Sequence, residues 1–207
     1  VGLVTYVSWL KKGGYTTPSF FGAGTALILT HLAMLLYQGG NPLDETRRYS
    51  FTKNFLSDLG LITTYANTNQ PLVVLCFGFG LFAAAYAIYC WYNKVVSKGW
   101  RVGLWLAVIG LVLVPLVPSD LFFWPHRYLV VAILTGFAIL NLSLVKVRIV
   151  SSYSLVLVLF QIAYLCFIFL GPRPAEAREL HVILQKVAIY SQLFLLLSPG
   201  ANKKLPR

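Results

Sequence analysis

The fold is decided by PLVVLCFGFGLFAAAYAIYCWY, Pro71 to Tyr92. This stretch carries no charge, and at about 1.5 Å per residue a helix of its length spans the ~30 Å hydrocarbon layer of a bilayer. Proline suits its head, because the missing N–H would be unpaired in a first helical turn anyway. Working outward, comparable apolar runs occupy Ser19 to Tyr37, Arg101 to Pro118, Arg127 to Val145, Ser152 to Leu170 and Glu179 to Leu197. Pro115 is placed to bend the last turns of the third run. The pattern predicts an all-α, polytopic integral membrane bundle of six transmembrane helices, a single domain over residues 1–207.

Composition agrees. Hydrophobic residues make up 58% of the chain and charged residues 11%, against about 25% charged in a soluble domain. The net charge of +11 does not point to nucleic acid, because the basic residues sit between apolar runs instead of forming one basic face. Cys76, Cys90 and Cys166 all fall within spans, without metal-ligand spacing, and read as packing residues. Residues 1–10 are apolar but too short to cross, so residues 1–18 are expected to form an interfacial segment anchored by Trp9, Lys11 and Lys12, or one that packs on a partner. Residues 198–207 read as a basic cytoplasmic tail.

Loop charges suggest an orientation. The amino-terminal segment, the loops holding Lys94, Lys98, Arg101 and Lys146, Arg148, and the tail contain no Asp or Glu. With six spans these share one side, and all six acids (Asp44, Glu45, Asp58, Asp120, Glu176, Glu179) fall on the other. Basic residues mark the cytoplasm, so both termini are expected there, and a short-looped prokaryotic plasma-membrane protein fits. The long outer loop, residues 39–70, is expected to hold a short surface helix within its partly apolar middle.

The polar residues of the outer half are the candidates for function. His126 and His181 open spans, His31 lies past the middle of the first, and Asp120 and Glu179 are nearby in sequence. His31, His126, His181, Asp120 and Glu179 form a candidate metal set, imidazole and carboxylate being divalent-metal ligands. No two histidines show an HxxxH or HExxH spacing, so separate helices would have to converge; capping, anchoring and ion pairing with Arg127 and Arg178 is the plainer reading. Ser57, Asp58, Asp120 and His126 are the catalytic candidates. His31, Arg47, Arg48, Arg127, Arg173 and Lys186 are candidates for a ligand or an anionic headgroup. Lys186, the deepest charge, is expected to pair with a carboxylate or to reach the interface, with Glu179 and Ile183 on nearly the same face. Gln161 and Gln185 are positioned to extend a polar interior.

NFLSDLG, Asn54 to Gly60, with the Asn-rich stretch to Pro71, the third span ending at Pro118 and the His126 opening of the fourth, resembles an uncharacterised six-helix membrane family. That family is catalogued as domain of unknown function 998 and is distantly similar to the Frag1/DRAM/Sfk1 group. The resemblance covers about residues 18–197. It implies a six-helix fold in a membrane and makes Ser57, Asp58 and His126 the positions to test first, but it implies no reaction. Alkaline ceramidase-type hydrolases, which use Ser, Asp and three His, are remotely similar. This chain has fewer spans and no partner four residues from His181, so their activity is not carried over.

Three functions compete. The first is a non-enzymatic membrane protein, an accessory subunit or lipid-associated scaffold whose partners are membrane lipid and other integral subunits. The second is a metal-dependent hydrolase or transferase acting on lipid at the outer face. The third is a small transporter using Lys186, Gln161 and His31. No cofactor is specified by any motif.

Overall fold

The computed structural model describes residues 17–43, 47–146, 151–170 and 175–197. The interfacial segment, Asp44, Glu45, Arg173 and the basic tail lie outside the described residues. Among the described residues six long helices follow one another: α1 Thr17–Leu36, α2 Pro71–Val95, α3 Arg101–Leu113, α4 Phe123–Lys146, α5 Ser151–Leu170 and α6 Ala175–Leu197. Each is long and apolar enough to cross a membrane, α3 together with the short turns flanking it. No strand occurs among the described residues. The expected all-α bundle of six spanning helices is what is observed.

The helices pack in chain order, and α6 closes the ring against α1, α5 and α2. Close approach depends on small residues, since apolar side chains gain little by leaving lipid for one another. Gly136 on α4 sits against the backbone of α3: a Cβ there would lie 2.6 Å from the Ala107 nitrogen and 2.7 Å from the Gly103 oxygen. Gly78, by contrast, has only ordinary contact with Pro115. Pro115 lies in a 3-10 turn, Val114–Leu116, that tightens the end of α3. Among the tryptophans, Trp105 and Trp124 are exposed. Trp91 is instead buried, edge-on to Tyr92 at 4.5 Å. Cys76 is buried as packing requires, whereas Cys166 is exposed on α5.

Toward the end of the bundle away from the long loop, a polar network joins four helices. Asn141 of α4 donates to Gln161 of α5 (3.2 Å) and Gln192 of α6 (2.9 Å), and accepts from Tyr92 of α2 (3.2 Å). Gln192 donates back to Tyr92 at 2.6 Å. All four side chains are buried. Replacing Asn141 by leucine, of similar size, removes three of these bonds. Interhelical bonds in membranes are worth about 0.6–2 kcal/mol each, so a loss of about 2 kcal/mol is expected in reversible detergent unfolding. An unchanged transition would show that the network is energetically idle.

The α1–α2 connection folds over one end of the bundle, here called the loop end. Gly40 has φ 72°, a left-handed conformation that glycine adopts without strain. A side chain on Gly39 would collide with Tyr37 and Thr64 at 2.6 Å. These two glycines turn the chain out of α1. Leu56–Gly60 then forms a 3-10 helix, and a turn over Thr63–Asn69 leads to α2.

Candidate functional site

The loop is secured by its own polar side chains and by one face of α6. Asn54 is its hub: its amide donates to the Gly40 carbonyl (2.8 Å) and to Asp58 (3.1 Å), and its oxygen accepts from Ser50 N–H (2.9 Å). Asp58 also accepts from Phe55 N–H (3.0 Å) and the Tyr65 hydroxyl (3.3 Å), and pairs with Arg178 at 3.7 Å. Burial pushes the Asp58 carboxyl above its usual range. Arg178 and the bonds from Asn54, Phe55 and Tyr65 oppose that rise without cancelling it.

From α6, Arg178, His181, Gln185 and Lys186 recur at helical spacing and face the loop. Arg178 donates to the Tyr65 hydroxyl (3.2 Å) and stacks on Phe55 (4.9 Å). The His181 ring is held edge-on by Phe55, Tyr164 and Phe167. Gln185 accepts the Leu56 N–H at 2.8 Å. Lys186 donates to the carbonyls of Phe51 and Asn54, beneath the rings of Tyr49 and Phe51. Its direct hydrogen-bond partners are therefore carbonyls of the outer loop, and the Asp58 carboxylate acts on it at longer range. The loop brings a pair of inward carbonyls that satisfy the ammonium, and the charge of Asp58 in the same loop favours it further. Glu179 and Ile183, expected on the same face, are exposed.

Between this loop and the loop-end halves of α4, α5 and α6 lies a cavity of ≈ 1030 Å³. Ser57, Asp58, Asp120, His126, Arg127, Arg178, His181 and Gln185 contribute its polar wall, and Leu61, Val130, Val131, Tyr164, Phe167 and Ile168 its apolar one. Asp120 is positioned by accepting Thr63 N–H at 2.9 Å. Arg127 donates to the Ile168 carbonyl at 2.6 Å and stacks on Trp124 at 5.6 Å. His126 bonds the Val117 carbonyl through Nδ1 at 2.7 Å.

Six of the outer polar residues singled out from sequence, Ser57, Asp58, Asp120, His126, Arg127 and His181, thus line one cavity. His31 does not. It is exposed on α1, with Nδ1 satisfied by the Leu27 carbonyl of its own helix (2.7 Å) and its ring beside Tyr190. A helical histidine can satisfy itself four residues back, so the Nδ1 of this one needs no partner from another helix. Arg47 and Arg48 are exposed. Among the described residues, no three His, Cys, Asp or Glu side chains group so as to hold a metal ion. Nor does any hydrogen bond join Ser57, Asp58 and His126 to one another; Asp58 is turned to the loop's backbone and His126 to Val117. Lys186, Gln161 and His31, the proposed transport path, occupy three separate environments: the loop clasp, the polar network and the bundle's outer surface.

Sequence reading missed Asn54 as the hub and Asn141, Gln192 and Tyr92 as the network. Its only available signal was an amide side chain inside or beside an apolar run. Compared with known proteins, the chain matches no family model, no curated protein and no solved structure.

Proposed function

We propose that this is a non-enzymatic lipid-binding membrane protein that holds an amphiphile in the loop-end cavity. The supporting observation is the cavity's two-faced lining. Arg127, Arg178 and His126 lie with Ser57 and Asp120 on its polar side, and Val130, Val131, Tyr164 and Phe167 offer an apolar bed. Its volume of ≈ 1030 Å³ is at or above the upper end of small-molecule sites, about 300–1,000 Å³. The occupied oxygens of Asp58 and the missing Ser–His bond give hydrolysis no assembled machinery. The reading takes the basic loops as cytoplasmic, which places the cavity at the outer face of a prokaryotic plasma membrane. It also keeps the proposed relationship to the six-helix family of unknown function, and a place for the protein beside other integral subunits.

The test is native mass spectrometry of protein purified in mild detergent. Phospholipid is expected to remain bound at about one per chain. Replacing Val131 by tryptophan, which fills the apolar bed, is expected to reduce retention about tenfold without lowering the melting temperature. Wild-type protein that retains and rebinds no lipid would refute the proposal.

A further inference from the structure

His31 faces outward from inside a spanning helix. It is exposed and lies five residues before the end of α1 at Leu36, about 7 Å along the axis. An ionisable side chain within a span almost always turns inward or finds a polar partner. Half of this ring has one. Nδ1 gives its hydrogen to the Leu27 carbonyl, because a carbonyl only accepts. In the neutral ring Nε2 is then a lone-pair acceptor. The other contact of the ring is Tyr190, with centroids 5.5 Å apart, and among the described residues no donor reaches Nε2. The hydrocarbon at that depth supplies none either.

Tyr190 is the complementary half. Its hydroxyl donates to the Met34 thioether at 3.9 Å, and sulfur is a weak acceptor. A poorly used donor and an unused acceptor thus sit side by side, at one depth, where α1 meets α6. The surface around them is apolar and follows two helical stripes. Ile28 and Leu35 flank His31 on α1, and Val187 and Phe194 flank Tyr190 on α6. All four are exposed, and each is three or four residues from the polar side chain that it flanks.

We infer that this face is the interface with a second copy of the chain. Copies inserted in the same direction are related by a twofold axis along the membrane normal. Such an axis keeps every residue at its own depth and makes each contact reciprocal. His31 of one copy therefore meets the partner's Tyr190, and Tyr190 meets the partner's His31. Each hydroxyl donates to the Nε2 opposite. A pairing of histidine with histidine would not serve, because both Nε2 atoms accept. The apolar stripes supply the packing around the two bonds. Neither His31 nor Tyr190 lines the loop-end cavity, so the dimer stands or falls independently of lipid binding there.

The experiment is single-molecule photobleaching of the labelled full chain in liposomes over a range of protein-to-lipid ratios. Two-step bleaching is expected to dominate as the ratio rises. His31→Phe and Tyr190→Phe keep the rings and remove the bonds. Each is expected to weaken the dimer about tenfold at an unchanged melting temperature. The double variant is expected to be no weaker than either, because all three lack the same bonds. Oxidative cross-linking places the interface if the ring variants do not fold. With Cys90 and Cys166 replaced by serine, Leu35→Cys is expected to join two copies, and Leu159→Cys, exposed on α5, to leave them separate. Single-step bleaching of the wild type at every ratio overturns the inference. So does a dimer that both ring variants leave intact, or one that Leu159→Cys joins and Leu35→Cys does not.

Discussion

Replacing Lys186 by methionine is expected to destabilise the protein by about 3 kcal/mol and to free the long loop from the bundle. Methionine keeps the side chain's length but donates nothing, so the carbonyls of Phe51 and Asn54 lose their buried partner. A hydrogen bond to a charged group contributes about 1.5–3 kcal/mol, and a buried acceptor left unmade costs about 1–3. Relief of the buried ammonium offsets part of that loss. The measurement is limited proteolysis with a thermal scan in the same detergent. Wild-type protein is expected to resist cleavage between residues 47 and 70, and the variant to be cut there well below its melting temperature. Equal protection in both would remove the lysine from the clasp. Because the loop contributes a wall of the cavity, the variant should also lose bound lipid.

A second large effect is expected from one methyl group. Gly136→Ala puts a Cβ 2.6 Å from the Ala107 nitrogen and 2.7 Å from the Gly103 oxygen. Both neighbours are backbone and cannot rotate away, so α3 and α4 must separate along their length. Overpacking a tight interior costs about 1–3 kcal/mol, and the upper end applies where backbone has to move. Gly24→Ala on α1 is the matched control, since nothing lies within 4 Å of its added carbon. Removing that glycine should be neutral or stabilise by up to about 1 kcal/mol. If the two substitutions behave alike in reversible unfolding, the close approach of α3 and α4 has no energetic weight.

The spans were legible because a bilayer imposes a length and an apolar character on each helix independently of its neighbours. Pro71 to Tyr92 needs no knowledge of the rest of the chain, and its helix is observed from Pro71. The partners of Lys186 were not legible. They are backbone carbonyls 135 and 132 positions away, and a carbonyl has no letter of its own. The same holds for Val117, whose carbonyl orients His126, and for Leu56, whose N–H meets Gln185. Sequence could place His31, His126 and His181 on one side of the bundle but not around a common space. Which face of each helix points inward depends on packing, and a local hydrogen bond is enough to let His31 face outward.

The clasp also has a consequence for how the protein is made. The loop is synthesised between α1 and α2, yet its anchors at Arg178, Gln185 and Lys186 all belong to α6. Leu56 and Gln185 are 129 positions apart, which at about 5–20 residues per second is on the order of ten seconds of translation. Until α6 inserts, the loop's amides and carbonyls have no clasp and the cavity lacks a wall. Insertion of α6 therefore doubles as a checkpoint: a nascent chain stalled before it presents an open, cleavable segment, and only a chain that includes α6 conceals it.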